Sequence, residues 1–241
     1  SLAAGSENRT EVLQYLSRAD VGDFTVKDGL VTVELKTPVT IGATGTVNVN
    51  AKDNIFLEAP NTGNYAFNVG EIVSSEGAVR ITSLGGIFAA GSNLSRSFDA
   101  YGGYVKGSTV LLRGGHGDVG SADALIRIES DDWAAVSSEK NVYIKAVRKD
   151  ETGALQSADM TLYSLASGGD VVVKADNLFA WDGGKLTEDE DLDDFAEIGY
   201  IGGNTLNFNV NGDFGKKDTA LRVASGSKVF FEDTIGNLWL H

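Results

Sequence analysis

The feature that most constrains this chain is an apolar pair at positions i and i+2 that returns eight residues later. Val47, Val49 and Ala51 are followed by Ile55, Leu57 and Ala59, Val79 and Ile81 by Ile87 and Ala89, and Ile126 and Ile128 by Ala134 and Val136. The same offset relates Val31, Val33 and Leu35 to Val39 and Ile41, Val171 and Val173 to Phe179 and Trp181, and Leu206 to Phe214. Alternation with a period of two is the mark of a strand with one buried face. From Phe24 onward the chain therefore reads as short strands in doublets.

The linkers inside the doublets are Lys52-Asp53-Asn54, Leu84-Gly85-Gly86 and Ala175-Asp176-Asn177. Two-residue hairpins favour Asn-Gly or Asp-Gly, which these corners lack. A bend that keeps the chain turning one way fits them better. The doublets recur at variable intervals, as expected of a solenoid whose coils hold about 20–25 residues and bury their apolar residues against neighbouring coils. Small residues such as Ala51, Ala59, Ala146 and Ala175 suit a narrow interior. The outward set is Thr32, Glu34, Asn48, Asn50, Glu58, Arg80, Arg127, Glu129, Lys145 and Lys174. These patterns predict an all-β fold, a right-handed parallel β-helix, over residues 24–241. Residues 1–23 form a separate segment in which Asn8 and Glu11 have capping-box spacing, and a short helix is expected from Asn8 to Ser17. A disordered terminus is the alternative there. Asn8-Arg9-Thr10 also matches a glycosylation sequon.

Three lateral excursions interrupt the repeat: Asn93 to Gly107, Arg148 to Ser157, and Trp181 to Gly203. The second is expected to be a protruding hairpin. The third carries Glu188, Asp189, Glu190, Asp191, Asp193, Asp194 and Glu197. Asp189, Asp191 and Asp193 have the 1-3-5 spacing of a calcium loop, but Asp194 stands where its Gly belongs and Tyr200 where its Glu belongs. A solvated, self-repelling loop is preferred over an irregular calcium site.

Charge and composition exclude several functions. The 34 acidic residues against 20 basic ones leave a formal charge of −14, which disfavours nucleic acid and anionic membrane surfaces as partners. No cysteine is present for a disulfide, a thiolate metal site or a nucleophile. No apolar run reaches the ~18 residues of a membrane span. His116 lies in Arg113-Gly114-Gly115-His116-Gly117-Asp118, where no nucleophile elbow accompanies it, and it reads as an exposed corner residue. That stretch is also one residue short of a calcium-binding nonapeptide. Asp131-Asp132, beside Trp133, is the best carboxylate pair for glycoside or polysaccharide cleavage. Adjacent strand residues face opposite ways, however, so the pair needs a bulge to share a groove. Trp133, Trp181 and Trp239 suit stacking along the solenoid, with sugar binding as the alternative. No catalytic, cofactor or metal residue is assigned, and no cofactor is expected.

The segment Gly45-Thr46-Val47-Asn48-Val49-Asn50-Ala51-Lys52-Asp53-Asn54-Ile55-Phe56-Leu57-Glu58-Ala59-Pro60 resembles the repeats of filamentous haemagglutinins and leukotoxin-type filamentous adhesins. Their coils read Gly-x-Val-x-Val-x-Ala-x-x-x-Ile-x-Leu-x-Ala. Similar stretches begin at Gly77 and Gly169. The resemblance implies a segment of a large secreted bacterial surface protein involved in virulence and cell adhesion, exported by an outer-membrane partner. Its role would be that of a rigid, non-enzymatic and monomeric stalk, displaying loops to a host or bacterial surface protein or glycan. A β-helical polysaccharide lyase or glycoside hydrolase is the first alternative, and a segment of a leukotoxin-like exoprotein the second.

Overall fold

The computed structural model describes residues 22–27, 30–35, 39–40, 45–59, 66–90, 103–183, 197–232 and 236–241. Among these the regular secondary structure is nineteen β-strands. The strands of a doublet do not pair with each other. Val47–Ala51 pairs in parallel with Phe67–Ser74, while Ile55–Glu58 pairs in parallel with Val79–Ser83. Each arm thus stacks on the corresponding arm of the next coil, an arrangement compatible with a β-solenoid.

The stacking produces continuous columns of apolar residues. One runs through Ile55, Val79, Val110, Ala134, Leu162 and Ala180, each the ladder partner of the next. A second runs through Leu57, Ile81, Leu112, Val136, Leu165, Ile201 and Val223. A third joins Ile126, Ile144, Val173, Phe208 and Phe231. All three belong to one core, with Val223 and Phe231 packed partly buried against it. Sequence separation along a column ranges from 18 residues, Ile126 to Ile144, to 36, Leu165 to Ile201. Connections of different length between the arms accommodate that variation, because closing a longer loop costs little extra entropy.

The bends between arms are held by side chains that replace missing backbone partners. Asn177 donates from N–H and Nδ2 to Asp159 Oδ1 (3.1 and 2.6 Å), and its Oδ1 accepts the N–H of Asp213 at 2.6 Å. Asn237 repeats the arrangement on Asp213 Oδ1, at 2.9 Å for both donors. Asp118, Asn141 and Asp170 form a second such ladder. Asn can donate and accept at once, whereas Asp only accepts, so alternating the two satisfies each level of the corner. Close approach is also required at Gly120, which has φ +77° and whose Cβ position would meet the Tyr143 carbonyl oxygen.

Four sequence expectations change. Leu30–Leu35 is not an arm of a stacked coil; it pairs antiparallel with Gly22–Lys27 in a separate two-stranded sheet. In Leu178–Ala180 the inward residues are Leu178 and Ala180, so Phe179 and Trp181 lie one residue out of the expected register. A one-residue slip sends every side chain to the other face. The first excursion ends sooner than expected, because Tyr104–Gly114 is a strand. The third likewise contains the strand Tyr200–Gly202. The second excursion is a hairpin as expected, with Val147, Arg148 and Lys149 paired antiparallel to Ser157, Gln156 and Leu155. Asp150 closes its turn by accepting the N–H groups of Thr152 and Ala154. The expected helix Asn8–Ser17, the sequon and the acidic run from Glu188 through Asp194 lie outside the described residues. No helix among the described residues is long and apolar enough to cross a membrane.

Candidate functional site

Two side-chain clusters on the lateral surface combine chemical groups in ways the repeat does not require. The first is built around Glu129, one of the residues expected to point outward into solvent. Its ladder partner across the coil is Lys106, and Tyr104 lies two positions before Lys106 on the same strand. Only 5 % of Glu129 is exposed. Its Oε1 accepts from Lys106 Nζ at 2.7 Å, and its Oε2 accepts from Tyr104 Oη at 2.7 Å and from the Lys149 N–H at 2.9 Å. Lys149 Nζ in turn sits 2.6 Å from Glu71 Oε1 and 4.4 Å from the centre of the Tyr104 ring. Three coils and the root of the 148–157 hairpin therefore meet at one carboxylate.

The electrostatics follow from that geometry. Burial pushes the Glu129 carboxyl upward, but the hydrogen bonds from Lys106, Tyr104 and Lys149 outweigh it and hold the group below the ordinary carboxylate range. Burial raises the Tyr104 phenol, and its bond to the Glu129 carboxylate raises it further. Glu129 thus stays ionised and Tyr104 stays protonated, so neither is poised to exchange a proton near neutrality. Chemically this is a clamp.

The second cluster is aromatic. Trp133, Tyr163 and Trp181 lie with ring centres 5.1, 6.0 and 5.7 Å apart and interplanar angles of 42°, 51° and 37°. Trp133 is 2 % exposed and packs with Leu111 and Ala135, while Tyr163 and Trp181 are partly buried against them. None of these belongs to the main core. Their neighbours Val110, Ala134, Leu162 and Ala180 point inward, so strand alternation places Trp133 and Trp181 on the outer face. Tyr163 occupies a bulge, because the register jumps from Ala134↔Leu162 to Ala135↔Ser164.

Thr109 and Ser164 adjoin this cluster. Thr109 is the ladder partner of Trp133, and Ser164 that of Ala135. Both are buried, and their hydroxyl oxygens have no hydrogen-bond partner, alone in this respect among buried side-chain atoms of the described residues. An unsatisfied buried polar group costs about 1–3 kcal/mol, so two beside one cluster require an explanation.

Asp131 and Asp132 lie directly before Trp133, both exposed. The register shifts between Ser130 and Trp133, which places a bulge at this pair. The strand-alternation argument against a shared groove therefore does not hold there. Among the described residues no cluster of His, Asp or Glu is arranged to hold a metal ion. His116 is exposed at its glycine corner, with Nδ1 2.6 Å from Glu139 Oε2. Trp239 stands apart, its N–H bonded to the Phe214 carbonyl in the last coil.

Sequence reading missed Glu129, treated as one more outward charge, and Tyr163. A signal did exist for Glu129: Lys106 precedes it by 23 residues, a typical coil length here. Tyr163 carried no comparable signal, since its placement depends on a bulge. No protein-family model, curated protein or solved structure matches the chain.

Proposed function

We propose that the chain is a rigid, right-handed β-helical segment of a secreted bacterial surface adhesin, which holds its lateral loops and side chains at fixed spacing for contact with another surface. The observation that supports this reading best is the set of apolar columns, which lock coil on coil in parallel while the 148–157 hairpin branches off without breaking the stack. Such a stack extends reach without requiring a new core at each step. The adhesin assignment itself rests on the resemblance of the Gly45–Pro60 and related repeats, and export through an outer-membrane partner belongs to the same proposal.

A non-enzymatic role agrees with the state of the Glu129 cluster. Its carboxylate receives three donors and is held ionised below the ordinary carboxylate range, which makes it a weak base near neutrality. The enzyme alternative is kept by one observation, the bulge that frees Asp131 and Asp132 from opposite faces.

The test is capture of cultured epithelial cells and of bacteria by beads coated with the purified chain, together with assays of polysaccharide turnover. Cell capture without turnover is expected. Product formation that disappears in Asp131→Asn or Asp132→Asn would replace this reading with a hydrolase or lyase.

A further inference from the structure

We propose that the outer face carrying Trp133, Tyr163 and Trp181 is a binding site for a neutral oligosaccharide. The inference rests on the reading of the chain as a display segment and names the chemistry of one partner.

A sugar ring offers an apolar C–H face and an equatorial rim of hydroxyl groups. Its recognition needs an aromatic surface next to donors and acceptors that are not already engaged. The three rings supply the surface. Trp133, buried beneath the others, fixes Tyr163 and Trp181 at 5.1 and 6.0 Å, and those two remain partly exposed. A ring cluster serving only the core would sit in the inward columns, as Phe208, Phe214 and Phe231 do. This cluster lies outside them.

Hydrogen-bonding capacity is concentrated at the same place. Thr109 and Ser164 hold the two unpartnered buried hydroxyls, and both flank the rings on the outer face. Each hydroxyl can donate and accept, but both are closed to solvent as the side chains stand, so the groups a sugar meets first are those at the exposed edge. The exposed carboxylates of Asp131 and Asp132, at the bulge before Trp133, add acceptors at the edge.

Charge decides among stacking ligands. Nucleic acids and uronate polymers also present flat faces, but a chain of formal charge −14 with two carboxylates beside the rings repels a polyanion. A neutral saccharide meets no such barrier.

The experiment is titration of the purified chain with cellohexaose, chitohexaose and pentagalacturonate, followed by tryptophan emission and calorimetry. Saturable emission changes with at least one neutral hexaose, and none with the uronate, are expected. Trp181→Ala is expected to weaken binding roughly tenfold, as loss of one stacked ring implies. Trp181→Phe, which retains a ring for packing, is expected to weaken it less, and Phe230→Ala, on the last coil, not at all. Equal affinity in the parent, Trp181→Ala and Trp181→Phe chains would overturn the site. So would the absence of a response to either neutral hexaose; if beads still captured cells in that case, the display reading would stand with a partner other than a neutral glycan.

Discussion

Lys106 Nζ stands 2.7 Å from Glu129 Oε1, and the two residues are direct partners across a parallel ladder. The same spacing repeated along a solenoid usually places polar side chains in water. Here it closes an ion pair that also takes in Tyr104 and the backbone of Lys149. The pair sits where the 148–157 hairpin leaves the coil, so it ties a lateral projection to the scaffold.

Removing the Glu129 charge is therefore expected to destabilise the chain. Glu129→Gln keeps the volume but leaves Lys106 without its counter-charge, a loss of about 1–3 kcal/mol at neutral pH. The sign of the pH dependence is fixed by the lowered Glu129 carboxyl. Its stabilisation is complete above the ordinary carboxylate range and disappears as pH falls through the lower value of the folded state. Urea unfolding should show the parent and Glu129→Gln converging in stability on acidification. A constant gap between them down to strongly acid pH would contradict the clamp.

Asp150 offers a second titration. Its Oδ1 accepts from Thr152 Oγ1 at 2.6 Å and its Oδ2 from Gln156 Nε2 at 3.1 Å. The Thr152 side-chain bond is the main reason its carboxyl is held at about 2. The amide resonances of Thr152 and Ala154 should titrate together with a midpoint near that value. The hairpin turn is then expected to loosen only in strong acid. An ordinary midpoint would mean that the turn bonds do not persist in solution.

The corner ladders predict an asymmetry between two substitutions at Asn177. Alanine removes one donor and one acceptor from a half-buried corner, with an expected cost of about 1–2 kcal/mol. Aspartate keeps the acceptor for the Asp213 N–H but sets a carboxylate against Asp159 Oδ1, now 2.6 Å from the Asn177 amide nitrogen. Asn177→Asp should therefore be the more harmful at neutral pH and should recover as pH is lowered toward the carboxylate range. Thermal denaturation across that interval distinguishes the two.

The doublets were legible because burial on one face imposes a period of two, and Ile55, Leu57, Val79, Ile81, Ala134 and Val136 all fall inside as their spacing requires. Leu178-Phe179-Ala180-Trp181 misled for a physical reason. Four apolar residues in a row contain no alternation, and the larger pair drew the assignment inward although a narrow core prefers Leu178 and Ala180. The candidate surface depended on that correction, since only the outward register brings Trp181 to Trp133. Bulges at Asp131-Asp132 and Tyr163 were not readable at all. A bulge is a mismatch between two coils, and neither strand alone records it.

The aromatic end of the third column tests how far damage spreads. Phe208 lies 4.7 Å from Phe214 and 5.7 Å from Phe231, ring centre to ring centre, and Phe214 lies 5.2 Å from Phe231. Beyond this group the last coil leaves Phe230 52 % and Leu238 46 % exposed. Phe208→Ala removes the ring joining that coil to the rest, with an expected cost of about 3–5 kcal/mol. In a stack where each coil touches only its neighbours, the loss should stay local. Hydrogen exchange is expected to quicken in Lys228–Phe231 and at Leu238, while amides of Val79–Ser83, several coils away, keep their protection. Uniform loss of protection along the whole chain would show instead that the columns unfold as one cooperative unit.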